Sequence, residues 1–388
     1  MCVELTAGRG TNAAPVVRPF FFLCISLAAF VLSCCSSAPP PSAVTDEPQT
    51  QNAETVEEIP VQAQEAYPEE GRQEYQELID AETEAALPEN TDGLPASSFD
   101  EVWAYLLSGQ DKILNTGYPI SDLVHFAAEV DSYGHLSVIP RRKAITRFKG
   151  RVHLAVVCDS AGLTHFVIQG GSEARKQLVA EILAAAKDYD GLNVDIERVP
   201  ERDTEHFLSF LSELRAGLGG RTLSVCVPGR TRAGGPYSYA SIAGLADRVF
   251  VMAYDEHWSG GPPGPVASMN WCKAVADYGL HAIGQEKLVM GIPFYGRSWG
   301  DKSTSRALVH RTTESQKREY GAQDFHRVNG IPTFTYDVTV KVTVYYEDEY
   351  SLAARMRMYR GQGVQKIGFW RLGQEAPGVW NLVKLDGG

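Results

Sequence analysis

Eight short apolar runs alternate with segments of helical apolar spacing over about the last 290 residues of this 388-residue chain. The runs occupy residues 101–107, 122–128, 152–158, 190–197, 221–228, 247–254, 287–293 and 364–370. Predicted helices follow Ser172 and Asp203 and cover about 268–278 and 351–360, the last ending before Gly361. Because strands that alternate with helices form parallel sheets, eight such units predict an α/β protein with a (β/α)8 barrel.

The segment 298–345 is too long for a single strand-to-helix connection of this barrel. It contains the β-like run FTYDVTVKVTVYY, residues 334–346. We therefore expect a small α+β lobe at 298–345, inserted between strands seven and eight.

The fourth run, within KDYDGLNVDIERVP at residues 187–200, alternates strictly between polar and apolar side chains. Successive strand residues point to opposite faces, so Asn193, Asp195 and Glu197 share one face. In a barrel the apolar face packs beneath the helices, and the polar row points inward. Glu197 comes last and is therefore predicted at the C-terminal mouth, where active sites of this fold are built.

Four motifs in chain order resemble those of the family 18 glycoside hydrolases, the chitinase-like group. DGLNVDIE resembles the DGxDxDxE signature, with Asn193 where the first inner aspartate usually stands. VFVMAYD (249–255) is similar to the strand-six motif, GIPFYGRSW (291–299) to the strand-seven motif and GFWRLG (368–373) to strand eight. The resemblance covers about residues 98–388.

Asn193 and the stretch GGPPGPVA (260–267) are similar to the spore-cortex-lytic, peptidoglycan-acting branch of the family. Two features depart from the family pattern. The SxGG pattern after strand three is replaced by VVCDSAG, and no lysin-motif repeat is present.

The resemblance implies a retaining, substrate-assisted reaction without a metal or cofactor. Glu197 would protonate the leaving glycosidic oxygen, and the substrate's acetamido oxygen would form an oxazolinium intermediate. Asp195 would orient the acetamido N–H and keep Glu197 protonated, and Tyr254 would hold the acetamido oxygen. Asn193 would support Asp195 through a hydrogen bond.

The same resemblance implies a set of substrate-binding residues around this centre. Trp370 would form an apolar floor under the sugar ring. Asp255, Tyr295 and Arg297 would hydrogen-bond ring hydroxyls and the acetamido group; bracing the inserted lobe is the alternative role for Tyr295 and Arg297.

Three functions therefore compete. The first is a hydrolase of β-linked N-acetylhexosamine glycans, with peptidoglycan fragments as substrates. The second keeps the reaction but acts on chitin or N-glycan cores. The third is a catalytically silent glycan-binding lectin of the same fold, which the retention of Glu197, Asp195 and Tyr254 disfavours.

The negative charge is concentrated before the predicted barrel. The net charge is −12, and residues 36–96 contain fifteen acidic residues and one basic residue, Arg72, giving −14. The remainder is close to neutral, which argues against nucleic acid as a partner. Residues 35–97 are predicted to be a disordered acidic linker, because they carry too few large apolar residues to form a core.

The first 34 residues are predicted to be a lipoprotein-type signal peptide. Arg18 precedes an apolar run of the length of a signal h-region, which ends at VLSCC. Cys34 is the expected lipidation site, with Cys35, a plain signal peptide or an uncleaved anchor as alternatives. We expect a monomer in a bacterial cell envelope, anchored to the membrane or otherwise periplasmic or secreted.

Three of the seven cysteines lie in the predicted barrel: Cys158, Cys226 and Cys272. Their odd number and wide spacing indicate neither a disulfide framework nor a zinc site. We expect buried free thiols.

Overall fold

The computed structural model describes residues 93–301, 310–322, 326–328 and 331–386. The predicted leader, Cys34 and all of the predicted linker before residue 93 lie outside the described residues. A short strand, Ser97–Phe99, pairs in parallel with Val383–Leu385, so regular structure starts one residue before the expected boundary at 98.

Eight parallel strands form the closed barrel that the sequence predicts. They are β1 (Glu101–Leu107), β2 (Asp122–Val130), β3 (Arg151–Cys158), β4 (Gly191–Ile196), β5 (Thr222–Pro228), β6 (Arg248–Met252), β7 (Leu288–Pro293) and β8 (Lys366–Trp370). Neighbours in sequence are neighbours in the sheet, and β8 pairs with β1 to close it. Each of the eight predicted apolar runs is one of these strands.

Seven α-helices lie in the described residues. They are α1 (Ala161–Ile168), α2 (Glu173–Ala185), α3 (Thr204–Gly217), α4 (Tyr239–Leu245), α5 (Met269–Ala282), α6 (His310–Glu319) and α7 (Glu349–Gln362). The connections from β1 to β2 and from β2 to β3 carry no α-helix; they contain the 3-10 turns Asp111–Ile113 and Arg142–Ala144 and the short strand Leu136–Ser137, which pairs antiparallel with the end of β2. The ring of helices is therefore open on the side of the first three strands.

Side-chain caps fix where most of these helices begin. The predicted cap Ser172 accepts the Arg175 N–H at 3.1 Å, and Ser268 caps α5 in the same way. The end of α7 differs from the prediction, because the helix continues through Gly361. It ends instead at Gly363, which has φ +93°, a left-handed conformation that favours glycine.

The predicted α+β insertion lies between β7 and β8. Strand Arg297–Gly300 pairs antiparallel with Val342–Tyr345, and α6 and a hairpin of His326–Val328 with Ile331–Thr333 lie between them in sequence. The two long strands close the base of the lobe next to the end of β7.

Two apolar layers hold the barrel together. The outer faces of the strands pack under the helices, as Leu192, Val194 and Ile196 do on β4. The interior is filled by a separate cluster that includes the large rings of Trp103, Tyr105 and Phe250. No helix of the described part is both long enough and apolar enough to cross a bilayer.

A buried ion-pair network closes the N-terminal end of the barrel. Glu101 accepts hydrogen bonds from Trp103 Nε1 at 2.8 Å and from Arg248 Nη2 at 2.5 Å. Asp122 accepts from Arg151 Nε at 2.7 Å and pairs with His153 Nε2 at 2.8 Å. The carboxylates are thus fully paired, as buried charges must be.

Gly368→Ala should destabilise the barrel, because the added methyl would overlap the Phe250 ring and lie 3.0 Å from Trp103 Cβ. We expect a loss of about 1–3 kcal/mol in unfolding free energy, the usual cost of overpacking. Chemical denaturation measures it. Gly244→Ala is the control: its methyl meets no heavy atom within 4 Å inside α4, so it should stabilise by about 0.5–1 kcal/mol. Equal effects of the two changes would contradict this packing.

Candidate active site

Strand β4 directs its polar side chains into the barrel, as the alternation predicts. Asn193 and Asp195 are buried in the interior, whereas Glu197 follows the strand and reaches solvent at the C-terminal mouth. The Glu197 N–H donates to the Cys158 carbonyl at 2.7 Å, which extends the pairing with β3 by one residue. The order of depth is therefore Asn193, Asp195, Glu197.

Asp195 is a buried carboxyl group with an unused acceptor. Its side chain is 5% exposed, and Oδ1 has no hydrogen-bond partner among the described residues. Burial and the neighbouring Glu197 charge raise the pKa of Asp195 to about 7, with partial relief from the Cys226 thiol. A bound molecule can therefore donate a hydrogen bond to Asp195 Oδ1.

Glu197 also holds its proton more tightly than an ordinary glutamate. Partial desolvation raises its pKa, the charges of Asp159 and Asp255 raise it further, and Arg198 opposes them. Two adjacent carboxyl groups with raised pKa values favour a state in which they share one proton.

Tyr254 and Tyr295 form one wall of the mouth. Tyr254 comes two residues after β6 and is half-buried, and its ring makes an edge contact with Tyr295 at 6.2 Å between centroids. Burial raises the pKa of Tyr254 well above its ordinary value, and the Asp195 and Asp255 charges contribute. The phenol therefore stays protonated and available as a hydrogen-bond donor.

Asp255, Tyr295 and Arg297 form one hydrogen-bonded cluster, although 40 residues separate the first from the others. The Tyr295 hydroxyl donates to Asp255 Oδ1 at 2.5 Å, and Arg297 Nη2 donates to the same oxygen at 2.6 Å. Asp255 has φ +59°, a strained conformation for a residue other than glycine. The cluster ties the start of the inserted lobe to the mouth.

Trp370, at the end of β8, is half-buried and packs on two aromatic rings from the first strands. Its ring lies edge-on to Phe126 at 4.8 Å and to Tyr105 at 5.2 Å. Aromatic rings held in this way form a rigid apolar surface at the base of the mouth.

Asn193 is fully buried and bonds to two other strands. Its Nδ2 donates to Ser224 Oγ at 2.9 Å, and its Oδ1 accepts from the Tyr105 hydroxyl at 3.2 Å. These partners lie on β1 and β5, out of reach of local spacing. Its support of Asp195 and its part in substrate binding stay predictions.

Two residues in this interior network were not singled out in the sequence as site residues: Tyr105, and Cys226 as a neighbour of Asp195. The alternation of strand faces could have identified Tyr105, because it lies two residues from Trp103 on β1 and therefore on the same face. The three cysteines are buried and free, as predicted. No group of three or more potential metal ligands occurs in the described ranges.

Paired carboxyl groups of unequal depth, at the C-terminal mouth of a parallel barrel and above an aromatic floor, define a glycoside hydrolase site. The family model for "Glycosyl hydrolases family 18" matches residues 141–375. The chain belongs to this family.

The curated relatives include two proteins of Bacillus species. The chain is 28% identical to the uncharacterized glycosylase YvbX of Bacillus subtilis over 232 residues, 56% of this chain and 67% of that protein. It is 25% identical to the cortical fragment-lytic enzyme of Bacillus anthracis over 241 residues, 58% of this chain and 56% of that protein. The chain thus spans little more than half of the latter relative.

Solved structures share the fold. The spore cortex-lytic enzyme SleL of Bacillus cereus has a TM-score of 0.59 at 22% identity, covering 74% of each chain. A chitinase from Chromobacterium violaceum has a TM-score of 0.58 at 25% identity, covering 73% of this chain and 97% of its own.

Asp195→Asn should stabilise the protein at neutral and alkaline pH. The pKa of Asp195 is raised in the folded state, so native stability falls as pH rises from about 4 to about 7, where the buried group loses its proton. The asparagine variant lacks this loss. Its advantage should grow over that range, reach up to about 4 kcal/mol and stay constant above it.

Denaturation at pH 4, 5.5, 7 and 8.5 gives this pH profile. Asp188→Asn, on the exposed turn before β4, is the matched control and should leave the profile unchanged. An asparagine variant at 195 that is no more stable than the native chain at pH 8.5 would refute the uncompensated burial of this carboxyl.

Proposed function

We propose that the chain is a retaining glycosidase that cleaves β-linked N-acetylhexosamine glycans, with peptidoglycan fragments as its substrates. The observation that carries the proposal is the buried, unpartnered Oδ1 of Asp195 directly below the solvent-accessible Glu197. A sugar amide N–H in the mouth would complete the hydrogen bonding of Asp195 and place the glycosidic bond near Glu197.

The first step is protonation of the leaving oxygen. Glu197, with its raised pKa, gives its proton to the glycosidic oxygen as the bond to the anomeric carbon breaks. The acetamido oxygen of the same sugar attacks the anomeric carbon from the opposite face and forms an oxazolinium ion. Glu197 then takes a proton from a water molecule, whose oxygen attacks the anomeric carbon and opens the oxazolinium ring. The product therefore keeps the anomeric configuration of the substrate.

Asp195 and Tyr254 would prepare the acetamido group for this attack. Asp195 accepts the amide N–H and balances the positive charge of the oxazolinium ion, and the Tyr254 hydroxyl donates to the acetamido oxygen. In the free protein the shared proton favours Asp195, because this carboxyl group is more deeply buried than that of Glu197. Accepting the substrate N–H ionises Asp195, so the proton passes to Glu197, where the reaction needs it.

The remaining mouth residues would hold the sugar. Trp370 would pack under the ring, and the cluster of Asp255, Tyr295 and Arg297 would hydrogen-bond its hydroxyls. Because Arg297 neutralises the Asp255 carboxylate and Tyr295 donates a hydrogen bond to it, the cluster offers oriented donors and acceptors without an unpaired charge. Bracing the lobe and binding the sugar are compatible roles for this cluster.

Two sets of relatives support two substrates. The cortical fragment-lytic enzymes favour peptidoglycan fragments, and Asn193 and the 260–267 stretch point to the same branch. The chitinase of Chromobacterium violaceum and the di-N-acetylchitobiase of Rattus norvegicus favour chitooligosaccharides as the alternative. Both carry the sugar amide that the proposed reaction requires.

We propose that the protein is located in a bacterial cell envelope, as the predicted signal peptide indicates. Residues 1–34 would direct export, Cys34 would carry the lipid, and residues 35–97 would tether the barrel as a monomer at the membrane. Mass spectrometry of the mature N-terminus tests this assignment, since an unmodified N-terminus would exclude a lipid anchor.

Glu197→Gln should abolish turnover while glycan binding persists. Losing the acid should lower kcat by about 100-fold to 10,000-fold, because the leaving oxygen must then depart unprotonated. Single-turnover kinetics and calorimetric binding of the substrate measure the two effects. Glu201→Gln, on the exposed turn after β4, is the control. Turnover within tenfold of the native rate would refute the mechanism.

Peptidoglycan fragments should be cleaved faster than chitooligosaccharides of equal length. Mass spectrometry of products from defined muropeptides and from chitohexaose shows which bond breaks and which sugar carries the new reducing end. Products with N-acetylglucosamine at the reducing end are expected, because that sugar presents the acetamido group without a bulky lactyl ether. Preferential cleavage of chitohexaose would favour the alternative substrate.

A further inference from the structure

The end of the barrel opposite the mouth carries an unusual concentration of positive charge. The segment Pro140 to Arg151, which leads into β3, contains six basic residues and no acidic one. We call this segment the basic loop. This basic segment is a local exception in a chain whose net charge is −12.

Contacts place the basic loop at the N-terminal ends of the strands. Arg142 pairs with Asp190, just before β4, at 3.8 Å. The Tyr189 hydroxyl donates to the Pro140 carbonyl at 2.8 Å, and the Arg151 N–H donates to the Ser121 carbonyl at 2.9 Å, just before β2. The loop therefore lies beside the starts of β2, β3 and β4, away from Glu197.

Most of the charge on the loop has no role in holding the fold. Arg141, Lys143, Arg147 and Lys149 are exposed, and none forms an ion pair with the described part of the chain. By contrast, the apolar side chains Ile145 and Phe148 are buried and anchor the loop. The loop is thus a fixed platform that presents four uncompensated cations to solvent.

A cavity of about 480 Å³ lies at the same end of the barrel. Nine residues line it: Trp103, Arg151, Arg215, Gly219, Gly220, Arg221, Thr222, Asp247 and Arg248. Four guanidinium groups and one carboxylate are among them, and two of the arginines, Arg151 and Arg248, also pair with Glu101. Arg215 pairs with Asp247, and Arg151 pairs with Asp122 as well, so among the described residues Arg221 is the one lining arginine without an ion pair.

The turn before β4 connects the cavity with the basic loop. Arg221 donates through Nη2 to the Lys187 carbonyl at 3.0 Å and through Nε to the Tyr189 carbonyl at 3.2 Å. The other side of the same turn meets Arg142 and Pro140. Loop and cavity therefore lie on one face of the barrel, with the exposed carboxyl groups of Asp188 and Asp190 on the turn between them. The basic loop supplies this face with four exposed cations that form no ion pair in the described part of the chain.

We infer that this face binds the phosphate groups of an anionic membrane surface and so directs the mouth of the barrel away from the bilayer. Phosphate esters match guanidinium and ammonium donors, and clusters of four to eight basic residues typically recognise anionic lipids. Four of these cations are exposed and form no ion pair in the described part of the chain, so they are free to meet a layer of anionic headgroups. Strand Ser97–Phe99, where the predicted tether joins the barrel, precedes β1 at this same end. The inference rests on the proposed envelope location and not on the proposed glycan.

Vesicle co-sedimentation tests the inference on a chain that starts at residue 36 and therefore lacks the predicted lipidation site at Cys34. The chain should bind vesicles containing phosphatidylglycerol and not vesicles of phosphatidylcholine alone, and added salt should weaken binding. Reversal of the four exposed loop charges, R141E, K143E, R147E and K149E together, should weaken binding by at least about 100-fold, at roughly fivefold or more for each cation.

The control reverses four exposed basic residues elsewhere on the surface, K176E, R202E, K273E and R318E together. It should retain most of the vesicle binding, and both variants should keep the native melting temperature and hydrolyse a soluble glycan at the native rate. Equal loss in both variants would overturn the inference and leave only a general effect of net charge. Binding of glycerol phosphate or duplex DNA without vesicle binding would also overturn it, whereas loss of hydrolysis in the native chain would count only against the proposed function.

Discussion

Closure of the sheet is the constraint on which the rest of this structure depends. Once β1 pairs with both β8 and β2, every strand has one face inside a cylinder of fixed size. Large rings of Trp103, Tyr105 and Phe250 fill that space, and Gly368 leaves room for them. The polar side chains of β4 must therefore lie in this interior, which opens to solvent at the mouth.

Two buried carboxyl groups in the same barrel show how this constraint becomes chemistry. Asp122 lies at the closed end, and although burial alone would raise its pKa, hydrogen bonds from His153 and Arg151 outweigh it and lower the pKa to about 2. Asp195 lies near the mouth and has no cationic partner among the described residues, and burial and the Glu197 charge raise its pKa to about 7. The first group stabilises the fold as an anion; the second is costly as an anion and becomes favourable only when a ligand supplies the donor.

Sequence reasoning succeeded where the signal is local. Strict alternation around Asp195 predicted both its face and its depth, and the eight apolar runs predicted the barrel. It could not reach distant partners: Asn193 accepts a hydrogen bond from Tyr105, 88 residues away, and spacing along β4 does not indicate this contact. Helices α1 and α4, with eight and seven residues, were missed because they are too short for a clear period. Gly361 was taken for a helix end because composition does not distinguish it from Gly363.

The two ends of the strands carry opposite electrostatic arrangements, and this gives the barrel a direction. At the mouth, Asp159, Asp195, Glu197 and Asp255 place several carboxyl groups close together, and their mutual repulsion helps keep a proton in the site. At the opposite end, Asp190, Glu101, Asp122 and Asp247 match the arginines that they pair with, and the basic loop adds four exposed cations without ion pairs in the described part of the chain. A protein built in this way has a dipole along the barrel axis, so a negatively charged surface would attract its closed end and repel its mouth. Orientation and proton retention then follow from one charge distribution, in which the acidic groups needed for hydrolysis lie as far as the fold allows from the face that meets an anionic layer.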